Sequence, residues 1–346
     1  MKKKVVVGLS GGVDSSISAY ILQKEGYEVE GIYLKLHESV AGYHDKNIEQ
    51  IKKVAKFLDI KYHIIDLTNE FKDEIYDYFV QSYIDGITPN PCVKCNAKIK
   101  FGRFFKEAMK LGADYLATGH YVKTDGEFIY KADDLSKDQS YFLAQVKKEV
   151  LPKLIFPMSK YTKDNIKKIA ASIPELKSLS EQKESQEICF VDTVYTDLLK
   201  KYTNIDMPGK TIDLEGNEVG HHKGYMHYTI GKRRGFYVHG AHEPHFVTAL
   251  DKKNNTITVG KKEDLAINYV IADKLNMFID IKDFTSKVRL RYRSLAVKCD
   301  VKILDGIAYI KLQESVYGVA TGQTAVFYND NKVIGSGWIK TTDYVK

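Results

Sequence analysis

The sequence predicts an α/β fold: a doubly wound parallel sheet, followed by a small β-rich module and a C-terminal β-barrel. Three observations carry this. Short β-type runs alternate with helical spacing through the first half. A glycine-rich turn joins the first run to the first helix, and after residue 205 helical periodicity gives way to short alternating runs between turn signals. Val5 to Val7 read as the first strand, and Ile17, Tyr20 and Ile21 recur at helical spacing. Val29 to Leu34 read as the second strand, and Ile48, Ile51, Ala55 and Leu58 as the next helix face. Tyr62 to Leu67 and Tyr115 to Thr118 continue the strands, with helical segments around Phe71 to Tyr83 and Phe101 to Leu111. Such sheets bind ligands at the carboxyl ends of their strands.

Residues 174–187 turn polar and read as a long loop leading to Cys189. Beyond it, Pro208-Gly209, Glu215-Gly216-Asn217 and Asn254-Asn255 punctuate β runs. Leu295, Val297, Cys299, Val301 and Ile303 alternate with Lys298, Asp300 and Lys302, as a half-buried strand would, so Cys299 reads as a small buried hydrophobe. The expected divisions are 1–204 for the α/β domain, 205–270 for the β module and 271–346 for the barrel.

A length of 346 residues, 44% apolar and 28% charged, describes an ordinary globular chain and excludes a disordered or membrane composition. Lys plus Arg number 52 against 45 Asp plus Glu, a net charge of +7 that permits a polyanionic partner without demanding one. Lys2 to Lys4 are followed by only Val5 to Val7 before Gly8, too short for an export signal, and no run suffices to cross a bilayer. A cytoplasmic protein is expected, with no membrane partner. Four cysteines are too few for a disulfide scaffold and point to catalytic, metal-binding or buried thiols.

The strongest local signal is Val5 to Ser16, a buried strand, a glycine-rich turn and a helix starting near Asp14. Glycines bring backbone N–H groups close to phosphate, the helix N-terminus adds a favourable dipole, and Ser10, Ser15 and Ser16 offer hydroxyls. The loop lacks both the Gly-Lys-Ser/Thr ending of a Walker loop and dinucleotide-fold spacing. Its wording resembles the PP-loop, S-G-G-x-D-S, of ATP pyrophosphatases, which split ATP between the α and β phosphates. That resemblance implies ATP held by Gly8, Leu9, Ser10, Gly11, Gly12, Val13, Asp14 and Ser15, with Mg2+ following from ATP chemistry.

A second constellation runs from Gly86 to Gly102, where Pro89 and Pro91 hold an extended turn and a helical pattern follows Cys95. A helix N-terminus with Lys94 and Lys98 nearby is expected to lower the Cys95 pKa and favour thiolate. With Cys189 far along the chain, a dithiol relay becomes available. The segments T-P-N-P-C-V-K-C-N with K-I-K-F, A-T-G-H-Y (Ala117 to Tyr121), K-D-Q-S-Y-F-L (Lys137 to Leu143) and S-Q-E-I-C-F-V (Ser185 to Val191) resemble the bacterial-type tRNA-specific 2-thiouridylase family. The likeness continues through Gly220 to Gly235, Ala241 to Pro244, Val288 to Arg293 and Gly322 to Tyr328, and so spans essentially the whole chain.

The resemblance implies ATP-dependent 2-thiolation of the wobble uridine of glutamate, glutamine and lysine tRNAs. Cys95 would be the first catalytic thiol and Cys189 the carrier of a persulfide delivered by a sulfur donor or relay protein. It also implies Leu34 against adenine, Gly119 at the nucleotide, and Asn90, Pro91, Cys92, His120, Lys137, Asp138, Gln139, Arg291, Tyr292 and Gln323 toward tRNA; DNA is not an expected partner. Some members carry Asp where this chain has Cys92, so the role assigned to that carboxylate is absent or altered here. The substitution creates Cys92-x-x-Cys95, and with Cys189 three thiolates could ligate an iron–sulfur cluster with one open iron, as in related thiolases.

The basic residues Lys287, Arg289, Arg291 and Arg293 alternate with Val288, Leu290 and Tyr292, which predicts four cations on one strand face suited to phosphate. Lys232-Arg233-Arg234 invites the same reading or that of a solvated turn. Two competing functions are an amidating PP-loop synthetase and an RNA-binding protein that keeps ATP as a structural ligand. The Cys95/Cys189 pair argues against the first and the intact loop against the second.

Overall fold

The computed structural model describes residues 2–38, 42–182, 188–191 and 193–344. The chain separates into two compact units: Met1–Ile75, Cys92–Asp192 and Asn331–Ile334 form the first, and Tyr76–Pro91, Thr193–Asp330 and Gly335–Lys346 the second.

In the first unit the strands are β1 (Lys4–Gly8), β2 (Glu28–Lys35), β3 (Tyr62–Asp66), β4 (Tyr115–Ala117), β5 (Val122–Thr124), β6 (Ile129–Lys131) and β7 (Leu154–Ile155). Five of them make a parallel sheet in the order β3-β2-β1-β4-β7, with Val7 opposite both Gly31 and Ala117. Val5, Val6 and Val7 are fully buried, as a central strand covered on both faces requires. Helix α1 (Val13–Lys24) follows β1 and packs Ile17 and Leu22 into the core; α2 (Tyr43–Leu58) adds Ile51, Val54 and Leu58. The sheet grows outward from β1 in both directions, so its order reverses between β1 and β4. The loops after these two strands therefore meet where parallel sheets take up ligands. The hairpin β5–β6 was not anticipated; its edge is covered by Lys332 and Val333, which pair with Tyr130 and Ile129.

In the second unit β8 (Gly209–Ile212), β9 (Glu218–His222), β10 (Phe236–Val238), β11 (Phe246–Asp251) and β12 (Thr256–Gly260) form a sheet in the order β10-β9-β8-β12-β11, antiparallel except for β8–β12. The remaining strands are β13 (Ala266–Met277), β14 (Asp283–Arg289), β15 (Val297–Leu304), β16 (Ile307–Tyr317), β17 (Thr324–Asn329) and β18 (Lys332–Asp343). Their order β13-β16-β15-β14-β17-β18, closed by β13–β18 pairing, is a six-stranded barrel. Val288, Cys299, Val301, Ile310 and Phe327 are buried within the unit, so Cys299 is the small hydrophobe its alternation predicts. The helix Asp77–Ile84 belongs with this unit: Tyr83 stacks on Tyr195 at 4.4 Å, the Tyr225 hydroxyl donates to the Ile84 carbonyl at 2.5 Å, and Lys252 pairs with Asp85 at 2.8 Å.

Three local expectations need correction. The polar stretch from 174 is not all loop, since a 3-10 turn at Pro174–Leu176 leads into the helix Lys177–Ser180. Leu176 and Leu179, three apart, are fully buried and hold it down where the polar neighbours masked the period. Residues 183–187 of that reading lie outside the described residues. The basic strand stops at Arg289, and Arg291 to Ser294 form a turn closed by Ser294 bonding to Arg291 through backbone and hydroxyl. Four cations therefore do not share one strand face. Leu295 is 89% exposed and lies before β15 rather than in it.

Candidate active site

The glycine-rich loop follows directly from the end of β1. Leu9 and Val13 are buried core residues, so only their backbones are available to a ligand. Gly11 has φ +81° and its Cβ position lies 3.2 Å from the backbone of Asn47, so a side chain there would be both strained and crowded. The Ser15 hydroxyl accepts from the Ser10 N–H and donates to the Gly12 carbonyl, both at 3.1 Å, while the Ser16 hydroxyl donates to the same carbonyl at 3.0 Å. These serines shape the loop. At the start of α1, Gly12 provides no side-chain cap, and the first-turn N–H groups of a helix have no intrahelical acceptor, an arrangement suited to an anion. Gly119, in the loop after β4, lies against this helix start: a Cβ there would sit 3.1 Å from Asp14 C and Cβ and from Ser15 N. Leu34, half-buried near the end of β2, lies two residues beyond Ile32, whose carbonyl accepts from the Leu9 N–H at 2.8 Å.

Asp14 does not point away as a solvated cap. Lys163 Nζ donates to its Oδ1 at 2.7 Å and Oδ2 at 2.6 Å, and the Tyr121 hydroxyl donates to Oδ1 at 2.8 Å. Lys163 is itself buried and opens the helix Lys163–Ser172, which a Thr162/Asn165 capping box starts. Sequence reasoning missed Lys163, because a pair 149 positions apart leaves no local signal.

The helix carrying the first thiols begins at Pro91, earlier than the periodicity suggested, because proline suits a first helical position. It runs Pro91–Cys95 and passes into a π-helical stretch, Asn96–Phe104. Cys92 is half-buried, Cys95 buried and Cys189 exposed. Phe190, next to Cys189, is buried edge-on against Phe71 at 5.5 Å, and Phe71 lies 6.0 Å from the His37 ring, so an aromatic cluster seats the exposed thiol.

The expected depression of the Cys95 pKa is overturned. Burial pushes Cys95 up to about 12 and Cys189 up to about 11, and raises Cys92. Cys189 reaches solvent yet is crowded by protein, which is enough to disfavour its thiolate. A short helix start buried in protein does not offset desolvation, and the cation opposing it is Lys100 rather than Lys94 or Lys98. The charges of Cys92 and Cys189 both act on Cys95, which places all three thiols within electrostatic range of one another.

His120 is buried beyond Gly119. Its Nδ1 lies 2.8 Å from Thr118 Oγ1 and its Nε2 3.3 Å from Lys100 Nζ. Burial, then the Lys100 charge, hold its pKa well below the ordinary value. A lysine donating to Nε2 assigns the proton of the neutral ring to Nδ1.

The other predicted residues divide by unit. In the first, the Asp138 carboxylate accepts from the Ser140 N–H at 3.1 Å and hydroxyl at 2.9 Å, while Gln139 pairs with the Tyr121 backbone through Oε1 at 2.9 Å and its own N–H at 3.0 Å. Lys137, half-buried, closes the turn before them with its N–H on the Asp134 carbonyl. In the second unit, Asn90 is buried with its N–H 3.4 Å from the Tyr78 hydroxyl, ahead of Pro91. The Gln323 amide donates to the Thr88 and Pro89 carbonyls at 3.0 and 3.1 Å, fixing the segment ahead of these residues. Arg291 is exposed and Tyr292 half-buried in their turn. Lys232 donates to the His227 carbonyl at 2.6 Å and covers the Tyr228 ring, leaving Arg233 and Arg234 as the exposed cations of that trio.

Among the described residues no group of three His, Cys, Asp or Glu side chains is arranged to hold a metal ion. Cys92, Cys95 and Cys189 in particular are not grouped as three ligands of an iron–sulfur cluster in this arrangement. No helix among the described residues is long and apolar enough to cross a membrane.

Family models match nearly the whole chain: a tRNA methyl transferase HUP domain over residues 3–193, a tRNA methyl transferase PRC-barrel domain over 196–261 and an aminomethyltransferase beta-barrel domain over 268–339. The chain is 61% identical over 342 residues to tRNA-specific 2-thiouridylase MnmA 1 of Aliarcobacter butzleri, covering 99% of each. It is 54% identical to tRNA-specific 2-thiouridylase MnmA of Sulfurimonas denitrificans, covering 98% of this chain and 99% of the relative. Among solved structures, the U34-tRNA thiolase NcsA of Methanococcus maripaludis with its [4Fe-4S] cluster is 21% identical and covers 58% of this chain and 65% of that one, with a TM-score of 0.33. That likeness is too distant to bear on the thiols here.

Proposed function

This chain belongs to the tRNA-specific 2-thiouridylase family, and we propose that it replaces the 2-oxygen of a tRNA wobble uridine with sulfur at the expense of ATP. The observation that supports this most is the presence, in one unit, of an open phosphate loop and of the interacting thiols Cys95 and Cys189. ATP lies on the loop of Gly8 to Ser15, with Leu34 and Gly119 beside it, and Mg2+ would supply charge neutralisation for the triphosphate. The uridine O2 attacks the α-phosphate, pyrophosphate leaves, and the base carries AMP as a leaving group. The terminal sulfur of a Cys189 persulfide attacks C2 and AMP departs. Cys95 then attacks the Cys189 sulfur, releasing the thiolated uridine and leaving a Cys95–Cys189 disulfide that an external reductant resets. If Cys95 instead attacks the persulfide first, the freed sulfide displaces AMP and the same disulfide results.

The glutamate, glutamine and lysine tRNAs are the proposed acceptors, and a persulfide-bearing donor or relay protein the sulfur source. Residues 1–204 are assigned catalysis, and 205–270 and 271–346 grip of the tRNA backbone, with Arg291 and Tyr292 among the contacts. The target base must leave its stack to react, and His120, Lys137, Asp138 and Gln139 are assigned to its surroundings, with Asn90, Pro91, Cys92 and Gln323. Buried raised-pKa thiols suit this cycle, because Cys95 stays protonated and unreactive until substrate and persulfide change its surroundings.

The test supplies unmodified glutamate tRNA, ATP, magnesium and a persulfide source, and follows AMP and tRNA-bound sulfur separately. Wild type should form both. Cys189→Ser and Cys95→Ser should each abolish sulfur incorporation. Sulfur entry that survives Cys189→Ser would refute the persulfide route, and an absence of AMP formation would refute adenylation.

A further inference from the structure

We propose that Lys100, held in place by His120, is the anion-binding residue for the sulfur chemistry: its ammonium receives the negative charge of whichever thiol or persulfide of Cys95 and Cys189 is deprotonated. The inference rests on the reading of these two cysteines as the reacting thiols.

Its geometric basis is the π-helical stretch Asn96–Phe104. Such a stretch closes i to i+5 bonds, so it brings a residue five positions on back over its predecessor, and Lys100 stands five after Cys95. An ordinary helix would swing Lys100 off that side. The π-helical winding, rare and common at functional sites, thereby acquires a purpose.

Lys100 is also unusual in its company. It is half-buried, its hydrogen-bond partner among the described residues is His120 Nε2 at 3.3 Å, and no carboxylate there lies in ion-pair range. Lys163, the buried cation of the phosphate loop, has Asp14 as its counter-ion. A half-buried ammonium with no carboxylate partner among the described residues is a ready acceptor for an incoming anion. The neutral imidazole accepts from Lys100 because Thr118 engages the opposite nitrogen. The charged and titratable groups acting on the thiols point the same way. Cys95 feels Lys100, Cys189 and Cys92; Cys189 feels Cys92 and Lys100; Cys92 feels Lys100; and the Cys189 charge reaches Tyr43. Lys100 is the cation common to all three cysteines.

The test reads the free protein, without ATP or tRNA. Iodoacetamide labelling across a pH series, resolved by peptide mass spectrometry, gives the thiolate fraction of Cys95 and Cys189. Lys100→Gln should slow labelling of Cys189 at a fixed pH below its pKa by about tenfold, the size of one nearby charge, and shift its profile to higher pH. Lys100→Arg should restore most of the rate. Should Lys100→Gln fail to fold by circular dichroism, Lys100→Met, which keeps the apolar stem, provides the same readout. Superimposable profiles for the wild type and a folded neutral variant overturn the proposal. Failure of the thiolation reading would appear only with tRNA present, and leaves this readout unchanged.

Discussion

Replacing Asp14 by Asn strands an ammonium. Lys163 donates to both carboxylate oxygens, and its side chain is only 10% exposed, so the variant leaves its charge with a neutral amide and the Tyr121 hydroxyl. Removing one partner of a buried pair costs about 3–5 kcal/mol. The Asp14 side chain is 30% exposed and water partly screens the pair, which lowers the expectation to about 2–3 kcal/mol. The converse, Lys163→Met, leaves a carboxylate that keeps the Tyr121 hydrogen bond and its access to water, and should cost about 1–2 kcal/mol. The double variant buries neither charge and should be more stable than the two losses summed, with a coupling of about 1 kcal/mol or more. Urea denaturation of the four proteins measures the cycle, and hydrogen exchange at the amides of α1 and of Lys163–Ser172 confirms that the loss lies there. Additive losses, or a Lys163→Met cost equal to that of Asp14→Asn, would refute the reasoning.

Gly119→Ala puts a methyl 3.1 Å from the first turn of α1 and should weaken ATP binding at least about tenfold while costing about 1–2 kcal/mol of stability; nucleotide titration with unchanged affinity would show that this glycine does not border the ligand. Gly322→Ala would bring a Cβ to 2.3 Å from Ile87 Cγ2 and 2.8 Å from the Thr88 carbonyl at φ +85°, and should destabilise the second unit by about 2–3 kcal/mol in thermal denaturation; a loss below that of Gln323→Ala would contradict the packing. Acid should weaken the first unit. Burial lowers the pKa of His120 and His37, so below the unfolded histidine pKa near 6.5 the unfolded chain binds protons that the folded chain refuses. The contribution is complete above that pH and is lost as pH falls toward the folded values. His120→Gln should flatten the dependence of the urea midpoint on pH between about 6.5 and 5, and an unchanged slope would count against a neutral buried imidazole.

The parts legible in the sequence are those governed by short-range patterns. Val5 to Val7 followed by Gly8 to Ser16 fixes strand, loop and helix start together, because burial, positive φ and an open helix end each demand a residue type at a set position. The barrel followed from alternation, as at Cys299 and Val301. Failures came where tertiary context decides. Leu176 and Leu179 are buried by neighbours distant in sequence, so their polar surroundings misled. Arg289 ends its strand because the chain turns at Arg291, which alternation does not register. At the site, the cysteines and His120 were recognised, yet the protonation of Cys95 was misjudged, since desolvation depends on packing that spacing does not report. Lys163 and Lys100 act through partners 149 and 20 positions away.

The central claim, that sulfur passes from Cys189 to the uridine through a two-thiol cycle, is tested most directly in a single turnover. Cys189 is loaded with labelled persulfide sulfur, excess donor is removed, and unmodified glutamate tRNA, ATP and magnesium are added without reductant. The account predicts one equivalent of label at C2 of the wobble uridine, AMP in matching amount and a Cys95–Cys189 disulfide in the peptide map. Label that stays on the protein while AMP accumulates, or label in tRNA with both thiols still reduced, would contradict it.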